Sequence, residues 1–423
     1  MIMDFIKGMD ISTIIEEEYC GARFFDEGKE GDALEILKKY GTNYVRLRLW
    51  NDPYDEDGNP YGAGTNDLEK TILLAKRAKA LGMGVLLDLH YSDFWADPGK
   101  QILPKAWRDM DRFELVSAVH DFTVDVMKTL HAADAAPTMV QVGNEITNGL
   151  LWPSGQKPNF DEIARYISAG IAAVKEVDKD VPIMIHLDNG GNNPMYVEWF
   201  DNYVARGEDF DIIGLSYYPF WHGSLEDLSY NMKDMARRYG KKICVAEVSM
   251  GFTMEDYRIY EVPDSVIIDA LAKSGQLASL KEDADVNTSL IAIMAELSTD
   301  DIKRYRQRYK TGDNEPLDAW MKENLMPYAT KPELVEKLPY TMTPEGQADF
   351  MQDVMQRIAD VPGGLGFFYW EPAWVPVPGC GWATYEALAY TGEKGCPGNE
   401  WANQALFDYQ GNVLPALKTI RDF

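Results

Sequence analysis

Eight short apolar runs recur along the chain, each separated from the next by a stretch of polar or helical period, and this alternation constrains the fold more than any other feature. The runs are FIKGMDIS from Phe5, YVRLRLW from Tyr44, GVLLDLHYS from Gly84 and MVQVGNEI from Met139, followed by IMIHLDNGG from Ile183, DIIGLSYYPFW from Asp211, KICVAEVS from Lys242 and GLGFFYW from Gly364. Between them, Asp67 to Leu81, Phe113 to Leu130, Phe160 to Val177, Ser224 to Tyr239 and Pro344 to Ala359 carry apolar residues at helical spacing. Strands that alternate with helices pair in parallel, because each helix carries the chain back across the sheet, and eight such units close as a (β/α)8 TIM barrel. An open doubly wound sheet is the alternative. It would carry a Gly-rich phosphate loop after the first strand, and FIKGMDIS has none.

The rhythm breaks once. About ninety residues separate the seventh run from the helix at Pro344, where a few would ordinarily suffice. The stretch from about 253 to 339 therefore reads as an insertion, helical over Pro263 to Leu280, Ser289 to Arg308 and Glu315 to Leu325, on the C-terminal face of the barrel. No internal repeat or low-complexity linker sets it apart, so residues 1–423 are read as a single catalytic domain.

A formal net charge of −27 repels phosphate backbones and anionic headgroups, which argues against nucleic acid and membranes as partners. A neutral carbohydrate feels no such repulsion, and 11 Trp and 23 Tyr offer flat faces on which sugar rings stack. No run of about 18 apolar residues is present, and MIMDFIKGMD lacks the basic start and cleavage site of a signal peptide. His90, His120, His131, His186 and His222 show no HxH or HExxH spacing, and Cys20, Cys244, Cys380 and Cys396 show no CxxC. No metal and no required cofactor are implied. Cys380 and Cys396 share a Gly-rich stretch and are either bridged or free.

In a barrel of this kind the chemistry sits where strands exit at their C-terminal ends. In YVRLRLW, Arg46, Arg48 and Trp50 share one face and Val45, Leu47 and Leu49 the other; in GVLLDLHYS, Asp88 and His90 alternate with Leu87 and Leu89. With the apolar residues turned to the helices, the charged ones point into the barrel, where each needs a partner or a purpose. The fourth run ends in Asn144-Glu145, the seventh carries Glu247 after Ile243 to Ala246, and the eighth ends in Trp370-Glu371. Two facing carboxyl groups are the equipment of glycosidic cleavage: one protonates the leaving oxygen and the other attacks the anomeric carbon or positions water.

These motifs resemble the clan of retaining (β/α)8 glycoside hydrolases, which carries Asn-Glu on strand four and Glu on strand seven. More narrowly, FIKGMDIS, VRLRLW, LLDLHYSDFWADPGKQ, PKAW, VQVGNEITNGLLWP, LSYYPFW, VAEVS and FYWEPAW are similar to glycoside hydrolase family 53, the endo-β-1,4-galactanases. The resemblance implies Glu145 as general acid/base and Glu247 as nucleophile, with Asn144 on the adjacent sugar hydroxyl. It implies Arg48 or Arg46 orienting the nucleophile, assisted by Tyr217 or Tyr218. Trp370 would form the floor of the cleavage site, Trp95, Trp152 and Trp374 platforms along the groove, and Asp88, His90 and Asp93 substrate support. The substrate implied is β-1,4-galactan or galacto-oligosaccharides, handled by a monomer that is secreted or held at the cell surface; a cytoplasmic enzyme acting on imported fragments is the alternative. Other readings are a clan relative acting on mannan, xylan or a β-glucoside, and a non-catalytic carbohydrate-binding barrel. Family members commonly read AETS before a compact acidic loop that in some bacterial members holds calcium. This chain reads AEVSMGFTMEDY and enters the insertion, so it departs from the calcium-holding loop; a structural calcium stays an open alternative, with Glu255 and Asp256 as its candidate oxygen donors.

Overall fold

Successive side chains of a strand point to opposite faces, and an apolar run buries both, one toward a surrounding layer of helices and one toward the barrel axis. In the computed structural model, which describes residues 5–255, 329–393, 397–399 and 401–423, eight parallel strands close into one barrel. They are β1 (Ile6–Asp10), β2 (Tyr44–Leu49), β3 (Gly84–Leu89), β4 (Met139–Val142), β5 (Ile183–Leu187), β6 (Ile212–Tyr217), β7 (Lys242–Val248) and β8 (Gly364–Tyr369). Each falls within one of the eight runs.

The outward residues Val45, Leu47 and Leu49 of β2, and their counterparts on the other strands, join the large core shared with the helices. The inward residues near the N-terminal end form a separate apolar plug that includes Leu86, Met139, Met184, Ile212, Cys244 and Phe368, all buried. Truncating one of these to Ala would cost about 2–5 kcal/mol, because a closed barrel relaxes little into the gap. Gly8 completes the plug by absence: a Cβ there would stand 2.3 Å from the Phe368 ring. The plug seals the barrel below, so the inner face opens only at the C-terminal rim.

Eight helices follow the strands: α1 (Ala33–Lys39), α2 (Leu68–Ala80), α3 (Arg112–Ala132), α4 (Phe160–Val177), α5 (Asn193–Val204), α6 (Leu225–Tyr239), α7 (Pro344–Ala359) and α8 (Pro415–Asp422). Their starts are written locally. Asp111 with Glu114 and Ser224 with Asp227 form reciprocal capping boxes, and Thr343 caps α7 with Pro344 in its first turn. Periodicity identified five of the eight. The short α1 and α8 give too few turns for a period, and α5 is announced only by Asn192, which caps it, and by Pro194 in its first turn. The helices expected at Pro263 to Leu280, Ser289 to Arg308 and Glu315 to Leu325 lie outside the described residues.

Candidate active site

Above the plug the inward positions change character, and Asp10, Arg46, Asp88, Gln141 and His186 form a fully buried polar belt. Arg46 is its hub. Its guanidinium meets Asp10 at 2.8 Å, Asp88 at 2.8 Å and Glu247 at 2.9 Å, and donates to Asn144 Oδ1 at 2.7 Å and Gln141 Oε1 at 3.2 Å. A planar fork with five donors satisfies this many acceptors where an ammonium could not. Arg48 has a different post: it pairs with Asp10 at 3.0 Å and Glu371 at 2.5 Å, and its guanidinium lies 4.6 Å from the Trp95 ring and 5.6 Å from the Trp370 ring. Of the two arginines expected to orient Glu247, Arg46 does so. Arg48 instead braces the aromatic floor.

Glu247 faces inward because of a bulge. On β7, Cys244 and Ala246 point into the plug, so simple alternation would turn Glu247 outward with Val245. The register with β6 steps from Leu215↔Val245 to Ser216↔Glu247, one extra residue on β7, and the register with β8 shifts at the same place. The extra residue reverses the parity and swings the carboxyl group into the barrel. There Tyr218 donates its phenolic hydrogen to Oε2 at 2.8 Å while Arg46 holds Oε1. Burial pushes the Glu247 carboxyl up, and Arg46 and Tyr218 pull against it. Tyr217, one residue earlier, points the other way: its ring stacks on Phe350 of α7 and its hydroxyl donates to the Gly223 carbonyl, which removes it from the candidate site.

Glu145 is presented by a strained turn. β4 exits through Gly143 at φ +84°, and Glu145 itself sits at φ +46°, a left-handed conformation that costs a residue with a Cβ about 1–2 kcal/mol. Its Oε1 accepts from Ser216 Oγ at 2.5 Å. Burial, then Glu247 and Asp188, raise its carboxyl group well above the ordinary range. The two carboxyl groups thus have opposed environments. Glu145, without a cation, keeps its proton, and Glu247, with a guanidinium and a phenol, gives its proton up first.

Glu145, His186 and Glu247 each offer an atom within 4.8 Å of the others, a spacing a metal ion could exploit. Their contacts have another explanation: Ser216 serves Glu145, Arg46 and Tyr218 serve Glu247, and both ring nitrogens of His186 have polar neighbours.

A cleft of about 280 Å³ opens above the pair, lined by Arg48, Asn144, Glu145, Tyr218 and Glu247 together with Trp95, Trp370, Trp374, Trp382 and Trp401. Trp382 and Trp401 escaped the sequence reading because they stand on loops remote from any strand motif, and the polar Asp97 and Lys100, although within LLDLHYSDFWADPGKQ, were not singled out there. The indole N–H groups of Trp374 and Trp401 are buried without a hydrogen-bond partner among the described residues. Asn144 lines the cleft, and one hydrogen of its amide is donated to the Ala96 carbonyl at 2.8 Å.

Four residues expected at the substrate fall elsewhere. Asp88 and His90 lie one layer below the cleft, joined at 2.9 Å; His90 Nδ1 accepts from the Trp50 indole and the Ala96 backbone, which fixes the loop carrying Trp95. Asp93 accepts from the backbone of Asp52 and Lys105 and ties two rim loops together. Trp152 stands outside the cleft lining, its indole donating to the Asn148 carbonyl. Cys20, Cys244 and Cys380 are free thiols, while Cys396 and Asp256 lie outside the described residues.

The glycosyl hydrolase family 53 model matches residues 6–297 and 317–420. The chain is 34% identical over 441 residues to the endo-β-1,4-galactanase of Bacillus subtilis (strain 168), covering 100% of this chain and 86% of that protein. It is 31% identical to the arabinogalactan endo-β-1,4-galactanase of Thermothelomyces thermophilus, covering 98% of each. The solved Ignisphaera aggregans GH53 catalytic domain superposes with a TM-score of 0.77 at 36% identity, covering 99% of this chain and 96% of that one. A closed eight-stranded barrel with paired glutamates at its rim, matched over nearly its whole length by that family, is a glycoside hydrolase, and the chain belongs to glycosyl hydrolase family 53.

Proposed function

We propose that the protein is an endo-β-1,4-galactanase that hydrolyses β-1,4-galactan, the side chain of pectic arabinogalactan, with retention of anomeric configuration. The observation that carries this reading is the closeness of the two glutamates: carboxylate oxygens of Glu145 and Glu247 lie within 4.8 Å of each other. Carboxyl groups about 5–5.5 Å apart suit a double displacement, whereas inversion needs about 6.5–9.5 Å to admit water between them. The choice of sugar rests on the full-length relatives named as galactanases.

In the first step a Glu247 oxygen bonds to the anomeric carbon as the glycosidic C–O bond breaks, and Glu145 gives its proton to the departing oxygen. In the second, Glu145, now a carboxylate, takes a proton from water as that water attacks the same carbon and releases Glu247. Arg46 and Tyr218 hold the nucleophile ionised and aimed. The indole faces of Trp370 and Trp95 take the sugar rings, and the unpartnered N–H groups of Trp374 and Trp401 are donors suited to hydroxyls.

The enzyme acts as a monomer on polymer outside the cell or at its surface. Among the described residues no helix is long and apolar enough to cross a membrane.

A reducing-sugar assay across purified polysaccharides tests the substrate. Product from galactan and none from mannan or xylan is expected; product from mannan alone would overturn the galactan assignment, and binding without turnover on any of them would overturn catalysis.

A further inference from the structure

Beneath Glu145 lie two buried polar side chains that the double displacement does not use. Alternation along β6 turns Ser216 inward between the outward Leu215 and Tyr217, and along β5 it turns His186 inward between Ile185 and Leu187. Ser216 Oγ lies 2.5 Å from Glu145 Oε1, and His186 Nε2 lies 2.9 Å from the same Oγ. A hydroxyl has a single hydrogen. If Ser216 donates it to Glu145, the contact with His186 requires the hydrogen to sit on Nε2.

The other ring nitrogen fits that tautomer. His186 Nδ1 faces two donors, the Gln141 amide at 3.1 Å and the Glu145 backbone N–H at 3.4 Å. Asn144 Oδ1 also lies 3.0 Å away, but Arg46 at 2.7 Å and the Gln141 amide at 3.1 Å already face its two lone pairs. Burial, with Arg46, His90 and His222 nearby, holds the imidazole neutral.

We propose that His186 and Ser216 form a one-way donor chain that keeps Glu145 Oε1 an acceptor throughout the cycle, so that the proton exchanged with substrate rides on Oε2. His186 and Ser216 are then positioning residues: they touch no substrate and act through Glu145. The chain has an electrostatic consequence as well. Glu145 is faced by Glu247 from β7, Asp188 from the end of β5, Asp97 from the loop after β3 and Tyr218 from the end of β6, and the carboxylates among these oppose its ionisation. A hydrogen bond donated to the carboxylate works against them and limits how far its pKa rises.

The inference rests on Glu145 being the acid/base, and the experiments separate the two. Glu145 must be protonated for the first step, so the alkaline limb of kcat/KM follows its pKa. Removing the donor with Ser216→Ala raises that pKa, and the limb moves to higher pH by about one unit, the size expected for losing a hydrogen bond to a charged group. Ser216→Thr, which restores the hydroxyl, returns it. An alkaline limb unmoved in Ser216→Ala, whatever the loss of rate, would overturn the chain. A second measurement needs no variant: ¹⁵N NMR of histidine-labelled wild-type protein reads the His186 tautomer, with Nε2–H expected and Nδ1–H contradicting the proposal. Glu145→Ala tests the underlying assignment independently. Azide rescue with a glycosyl azide product supports it, and absence of rescue would remove Glu145 as acid/base and the chain with it.

Discussion

Tyr218 donates its phenolic hydrogen to Glu247 at 2.8 Å, on the carboxylate oxygen that Arg46 leaves free. The contact lowers the Glu247 pKa against the burial that raises it, so it helps keep the nucleophile ionised at the acidic end of the working range. Tyr218→Phe should therefore move the acidic limb of the kcat/KM profile to higher pH. The rate at the optimum should fall roughly ten- to a hundredfold, the equivalent of one hydrogen bond to a charged group. Tyr217→Phe, on the outer face of β6, should leave the profile in place.

Arg48 neutralises Asp10 and Glu371 where neither can reach water. Arg48→Met preserves much of the volume but leaves Glu371 without its cation and Asp10 with Arg46 alone, and breaking a buried pair from one side costs about 3–5 kcal/mol. Chemical denaturation should register a loss of that size, and a midpoint unchanged from wild type would contradict the role assigned to Arg48.

Glu371 makes stability pH-dependent. Burial outweighs the pull of Arg48, and with Asp10 nearby its carboxyl is raised from 4.5 to about 7. Between those values the folded protein binds a proton that the unfolded chain has released, so folding stability falls as pH rises through this window and the full penalty is present above about 7. Glu371→Gln cannot ionise. Its advantage over wild type, or the shrinking of its deficit, should grow from pH 5 to pH 8 in urea titrations; parallel curves would show that Glu371 does not titrate there.

The double displacement proposed for Glu145 and Glu247 asks for no metal. Activity on galactan is expected to persist in strong chelator. Loss of activity restored by zinc would overturn this, whereas a lowered melting temperature restored by calcium would reveal a structural site.

How far the site was legible in the sequence differs residue by residue. The eight strands were visible because both faces of each are buried, which writes a continuous apolar run. Arg46 and Asp88 were visible as inward residues because charge alternates with Leu and Val on their strands. The same parity rule puts Ser216 and Tyr218 inside and Tyr217 outside, and applying it to β6 would have removed the ambiguity between the two tyrosines. On β7 the rule fails. Cys244 and Ala246 are inward, and only the extra residue in the register lets Glu247 join them; no residue type in KICVAEV announces that bulge. Trp382 and Trp401 were missed for another reason: each reaches the cleft through a loop whose path is set by tertiary contacts, such as the Trp95 indole bonded to the Trp382 carbonyl. Arg46 and Arg48 could not be told apart from spacing, since they are two residues apart on the same strand face and differ only in which partners surround them.

The closeness of Glu145 and Glu247, within 4.8 Å between carboxylate oxygens, implies a covalent intermediate and net retention. The most direct measurement is ¹H NMR of β-1,4-galactan hydrolysis in its first minutes, before mutarotation scrambles the anomers. The new reducing end should appear as the β anomer and drift toward equilibrium. Initial formation of the α anomer would show single-step inversion and contradict the roles assigned to both glutamates.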